Sequence, residues 1–186
     1  IARVRTPLAN PLRVLVKQPD GSPLPGKLVT FDVTRSDGRL FADSSYTGDG
    51  SVRLQVFSDT QGLATAFWRL GSDTGIGNNR VGVTSQDIVG TVFFSASATV
   101  APADRIVVSD HNNQRAQAGA QLAQPLRVFV TDGDTGNGVP NVPVLFSIAS
   151  GNGGAFDEQS AVRSSRSQVA ESIVVPTDAT GRADAY

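Results

Sequence analysis

The sequence predicts an all-β protein made of two tandem antiparallel β-sandwiches, each incomplete in this chain. Three observations predict it. Short valine-rich runs alternate apolar and polar residues along the whole length. Nineteen glycines and ten prolines punctuate those runs at short intervals. The first part of the chain is then repeated, in order, in the second.

The first run is Leu12-Arg13-Val14-Leu15-Val16, where alternation turns Leu12, Val14 and Val16 inward and Arg13 outward. Leu28-Val29-Thr30-Phe31-Asp32-Val33 follows and adds Phe31 and Val33 to the same core. Runs at 51–57, 64–70, 80–84 and 91–100 continue the series, separated by turn signals such as Asp20-Gly21, Asp37-Gly38 and Gly62. In the run 64–70, Ala64, Ala66, Trp68 and Leu70 share one face, which places Trp68 in the core. An exposed Trp68 would instead offer a flat indole face to a pyranose ring. No stretch holds a 3.6-residue apolar period over three turns, so no helix is expected.

The repeat is specific. Leu8-Ala9-Asn10-Pro11-Leu12-Arg13-Val14 recurs as Leu122-Ala123-Gln124-Pro125-Leu126-Arg127-Val128, an offset of 114 (126 minus 12). The segment from Leu24-Pro25 to Val33 recurs from Val139-Pro140 to Ile148 at an offset of 115 (139 minus 24). Ser58-Asp59-Thr60-Gln61-Gly62-Leu63-Ala64 recurs as Thr177-Asp178-Ala179-Thr180-Gly181-Arg182-Ala183 at 119 (177 minus 58). The offset grows only between strands, where surface loops absorb insertions.

These matches set the domains at 1–101 and 102–186, with the boundary near Pro102, whose ring nitrogen cannot donate to a ladder. Repeat two opens on Asp104-Arg105-Ile106-Val107-Val108, a strand that in repeat one would precede Ile1. Repeat two ends at Tyr186, the counterpart of Phe67, so 68–100 has no second copy. Position 1 is not methionine, and the chain is expected to be part of a longer one. Open sandwiches expose unpaired edges. Truncation accounts for them, and so does completion by a strand from a neighbouring chain.

Composition narrows the function. Sixteen basic and 17 acidic residues give a formal net charge of −1, no electrostatic basis for a nucleic-acid or anionic-membrane partner. No apolar run approaches the ~20 residues a spanning helix needs. Cysteine is absent, which removes disulfides, thiolate metal sites and thiol nucleophiles together.

The motifs taken in order resemble the bacterial immunoglobulin-like group 1 repeats of intimin- and invasin-type surface proteins. The residues that carry the resemblance are the Pro-Leu-Arg-Val openings at Pro11 and Pro125, Leu24-Pro25-Gly26 and Val139-Pro140-Asn141, and the strand from Val29 to Val33. Gly38-Arg39-Leu40 and Gly153-Gly154-Ala155 belong to the set, as do the Ser/Thr-Asp-x-x-Gly-x-Ala segments at Ser58 and Thr177. The resemblance implies immunoglobulin-like sandwiches in series, on the bacterial cell surface or secreted. It implies a structural spacer of an adhesin-like protein, with neighbouring repeats of the same parent chain as partners. It carries over no catalytic residues and no cofactor.

Candidate chemistry is sparse. His111, the one histidine, lies in a loop after a strand, and no Gly-x-Ser-x-Gly elbow supplies a nucleophile for it. The run Asp132-Gly133-Asp134-Thr135-Gly136-Asn137-Gly138 sets oxygen ligands at alternate positions, as a calcium loop does, but lacks the closing glutamate and flanking helices. A plain hairpin turn explains its Asp and Gly equally well. No catalytic, cofactor-binding or metal-binding residues are therefore assigned, and calcium is retained only as a stiffening ion for that loop. The expected function is a non-catalytic stalk. The alternatives are an assembly module completed by strand exchange between subunits and a carbohydrate-binding accessory module.

Overall fold

The computed structural model describes residues 1–151, 153–155 and 171–186. The fold is all-β, with strands and turns and no helix among the described residues. The chain divides into two compact units, Ile1–Thr99 and Val100–Tyr186.

The first unit holds β1 (Ala2–Arg3), β2 (Leu12–Leu15), β3 (Leu28–Arg35), β4 (Arg39–Phe41), β5 (Arg53–Phe57), β6 (Leu63–Arg69), β7 (Gly75–Ser85) and β8 (Ile88–Thr99). One sheet has the order β1-β8-β7-β3-β5 and the other β2-β6-β4. Every pairing is antiparallel except that of β1 with β8, which is parallel. Alternation decides which face is buried. On β6, Ala64, Ala66 and Trp68 are buried while the residues between them are half-exposed. Val29 and Phe31 of β3, Val81 and Val83 of β7, Leu12 of β2 and Leu40 of β4 are buried too. Val14 and Val33, assigned inward from the sequence, are only half-buried.

Trp68 is 1% exposed, and its indole N–H has no hydrogen-bond partner. Gly38 lies against it: a Cβ there would come within 2.7 Å of Trp68 Nε1 and 3.0 Å of the Arg69 carbonyl oxygen. The β7–β8 hairpin is longer than the alternation at 80–84 and 91–100 foretold. Gln86 and Asp87 join the two strands, and Asp87 takes a left-handed φ (61°), a region Asp enters more readily than most residues.

The second unit holds β9 (Ala103–Asp110), β10 (Leu126–Asp132), β11 (Pro143–Ser147), β12 (Ser172–Pro176) and β13 (Arg182–Ala185). Its sheets are β13-β10-β9 and β11-β12, all antiparallel. Among the described residues one core cluster joins Val130, Val144 and Ala183, flanked by Val128, Val142, Phe146 and Val175. Every residue of β9 is exposed, including Ile106 and Val108. The segment 156–170 within the expected 102–186 repeat lies outside the described residues.

The sequence repeat is a repeat of hydrogen bonds. Leu12 pairs with Ala66 and Leu15 with Leu63 in the first unit. At the sequence offsets these become Leu126 with Ala185 and Phe129 with Arg182, the pairs seen in the second. Leu28 with Phe57 and Asp32 with Arg53 likewise correspond to Pro143 with Pro176 and Ser147 with Ser172.

The turn beside these ladders is reproduced bond for bond. The Ser58 hydroxyl donates to the Leu24 carbonyl (2.7 Å) and accepts from the Lys27 amide (2.9 Å). The Thr177 hydroxyl does the same with Val139 (2.7 Å) and Val142 (2.9 Å). Asp59 Oδ1 accepts from the amides of Gln61 and Leu63, and Asp178 Oδ1 from those of Thr180 and Arg182. The carbonyls of Gly62 and Gly181 accept from Val16 and Val130 respectively. The Ser/Thr-Asp-x-x-Gly motif is therefore a knot that ties the start of one strand pair to the end of the other.

Candidate functional site

The first unit has a cleft of about 280 Å³ lined by Arg5, Asp37, Arg39, Arg69, Leu70 and Gly71. Three separate segments build it. Arg5 follows β1 and takes a left-handed φ of 56°, a costly setting for a non-glycine residue. Its amide donates to the Gly71 carbonyl (3.1 Å), which pins it to the chain leaving β6. Asp37 comes from the β3–β4 connection, Arg39 opens β4, and Arg69 ends β6.

Backbone groups orient Arg39, Arg69 and Asp37 in the cleft. Arg39 Nη1 donates to the carbonyls of Asp37 (3.0 Å) and Gly38 (3.1 Å). Arg69 Nη2 donates to the Asp49 carbonyl (3.3 Å), and its guanidinium lies 5.1 Å from the Phe41 ring centroid. Asp37 Oδ1 accepts from the Ser72 amide (2.5 Å) and hydroxyl (2.9 Å), while Oδ2 stands 3.9 Å from Arg5 Nη2. Burial works to raise the Asp37 pKa, but the Ser72 bonds and the Arg5 charge outweigh it and hold the carboxyl below its ordinary value. The cleft thus presents three guanidinium groups and one carboxylate already satisfied by Ser72. It offers charge-assisted donors.

The other candidate residues lie elsewhere. Trp68 is in the core and offers no face to a sugar ring. His111 braces a loop: its Nδ1 is 3.2 Å from the Pro125 carbonyl, and its own carbonyl accepts from Gln114 Nε2 (2.9 Å). Gln114 in turn bonds both the carbonyl and the amide of Gln124.

In the run 132–138 the carboxylate of Asp132, 1% exposed, is engaged by its own turn. Oδ1 accepts from the Thr135 amide (2.8 Å), and the Thr135 hydroxyl reaches both carboxylate oxygens (2.6 and 2.7 Å). Burial opposes ionisation of Asp132, but these bonds and those from Asn137 and Gly136 prevail and lower its pKa. The segment is a hydrogen-bonded turn. Among the described residues no group of three or more His, Asp or Glu side chains is placed to hold a metal ion. Nor is any helix among them long and apolar enough to cross a membrane.

The sequence singled out none of the cleft residues as a site. Arg5, Arg39 and Arg69 are far apart along the chain, and only the strand pairings bring them together. Comparison of the chain with protein-family models, with curated proteins and with solved structures finds no match in any of the three.

Proposed function

We propose that this chain is a non-catalytic, load-bearing spacer made of bacterial immunoglobulin-like repeats, part of an adhesin-like protein on the cell surface or secreted. The motif resemblance and the bond-for-bond repetition of ladder and turn in the two units support the repeat reading. The observation that carries the load-bearing reading is the way the first unit fastens its own ends. β1 runs parallel to β8, with Ala2 opposite Ala98 and Arg3 opposite Thr99. The Val4 amide then donates to the Thr99 carbonyl (3.0 Å), Arg5 to Gly71 (3.1 Å) and Leu8 to Trp68 (2.9 Å), while Leu70 donates back to Thr6 (3.0 Å).

Tension applied at the two ends of this unit pulls parallel neighbours in opposite directions along their axis. Such shear loads several hydrogen bonds at once, whereas peeling a hairpin open loads them one after another. The chain has no cysteine, so handles can be attached at chosen sites. In single-molecule pulling, Ile1→Cys/Val100→Cys should unfold the first unit at severalfold higher force than Thr74→Cys/Val100→Cys, which opens β7–β8 from its free end. Equal forces would remove the load-bearing reading, and catalytic turnover by the chain would remove the non-catalytic one.

A second reading, assembly by strand exchange, is favoured by one feature of the second unit. β9 exposes all eight of its residues, and β11 carries Leu145 at 64% exposure with no partner beyond β12 among the described residues. Light scattering over a wide concentration range separates the two. A monomer of 19.4 kDa leaves the spacer alone, and ordered growth favours assembly.

A further inference from the structure

We propose that the cleft formed by Arg5, Arg39 and Arg69 is a binding site for a small oxoanion, a sulfate or phosphate group that presents several acceptor oxygens. The inference concerns the first unit alone and goes beyond the spacer role.

Three features of the cleft converge on this chemistry. The first is charge. In a chain whose formal net charge is −1, three guanidinium groups line one concavity with a single carboxylate. Among the described residues no carboxylate lies within 4 Å of Arg39 or Arg69. The second is donor capacity. A guanidinium has five N–H donors in a rigid fork. Arg39 uses only Nη1 and Arg69 only Nη2, both on backbone carbonyls, so Nε and one terminal nitrogen of each have no protein partner among the described residues. Backbone carbonyls orient these forks without neutralising them, which leaves the charge for an incoming anion.

The third feature is pre-organisation. Arg5 is held in a left-handed conformation by its bond to Gly71. A side chain on Gly71 would run into Ser36 and Asp37, so the wall between Arg5 and Asp37 is built around a residue with no Cβ. The Ser72 bonds to Asp37 draw its carboxylate away from the arginines, and the contact with Arg5 is correspondingly long at 3.9 Å. A cleft of about 280 Å³ accommodates one oxoanion, free or carried on a single sugar residue, and is far too small for a polymer face. It is open to solvent, so the expected dissociation constant is on the order of 1 mM, weakening as salt rises.

The test uses the full chain and two probes: sodium sulfate, and a disaccharide bearing one sulfate ester. Each is titrated against sodium chloride at matched ionic strength, following arginine Nε–Hε and Gly71 amide resonances. Saturable shifts confined to Arg5, Arg39, Arg69 and Gly71 are expected, with at least tenfold weaker binding in Arg39→Gln/Arg69→Gln. Arg13→Gln, which removes an exposed charge from β2, should leave binding unchanged. An unaltered Trp68 emission maximum shows that each variant is folded. Tighter binding of the disaccharide assigns the site to a saccharide-borne group, and equal binding assigns it to the free ion. Shifts reproduced by chloride, or surviving the double substitution, would overturn the proposal.

Discussion

Replacing Gly62 with alanine separates two costs that the Ser58–Gly62 turn combines. Gly62 has φ +73°, and a Cβ there would meet the Val16 carbonyl oxygen at 2.7 Å, the Leu24 amide nitrogen at 3.0 Å and Pro23 Cβ at 3.1 Å. Two of those three atoms are backbone, and both belong to the knot: Leu24 donates to Val16, and Val16 donates to Gly62. Gly21 is the control, with a similar φ of +86° and open space around its Cβ position. Both substitutions incur the left-handed penalty of about 1–2 kcal/mol, and Gly62→Ala adds an overpacking cost of about 1–3 kcal/mol. With a urea m-value of about 1.5 kcal/mol/M, Gly21→Ala lowers the midpoint by about 1 M and Gly62→Ala by about 2 M or more. Trp68 is the only tryptophan and is buried in the first unit, so its fluorescence reports that unit within the intact chain. Equal midpoint shifts for the two variants would refute the argument, because the close backbone approach would then cost nothing.

Two further predictions test the second unit. Asp132 has its pKa held below 3.8, so the stability it contributes is present above the unfolded value and lost as the pH falls through the lower folded one. Followed through its carboxyl carbon by NMR, Asp132 should titrate below the ordinary carboxylate value, and Asp132→Asn should remove the acid-side loss of amide protection at Thr135. Titration of Asp132 above 4 would contradict this. Arg127 Nε and Nη2 bond the two Asp184 oxygens at 2.8 and 2.6 Å, with each side chain about a quarter exposed. A double-mutant cycle to alanine should give a favourable coupling that shrinks in 1 M salt. A coupling that salt leaves untouched would mean the pair acts through packing.

The parts of this fold that were readable in the sequence are those where burial imposes a period. Ala64, Ala66 and Trp68 alternate because one face of β6 is buried, Leu70 continues the period just past the strand, and all four are buried. The repeat offsets carried still finer information, since they give the cross-strand register residue by residue. β1 and β4 were not readable: two and three residues long, they hold their places through bonds to distant strands and show no pattern of their own. The first turn of β7, Gly75 to Asn79, escaped for a related reason. It is rich in glycine and asparagine, with Asn79 buried by bonds to Gly71 and Asp73 rather than by apolar packing. The arginine cleft was invisible because solvated charges follow no period, and only tertiary pairing gathers them.

The shared knot also bears on how such a chain can change. Because the Ser/Thr hydroxyl, the Asp carboxylate and the glycine carbonyl fix the strand pairs from within one turn, the connections between the strands are free to lengthen. The offset has drifted from 114 to 119 residues while the registers stayed the same. The knot therefore works as a clasp for interchangeable parts. A binding loop inserted between the strands inherits a scaffold already aligned, so new specificities can be spliced into one unit without redesigning the sheet beneath them.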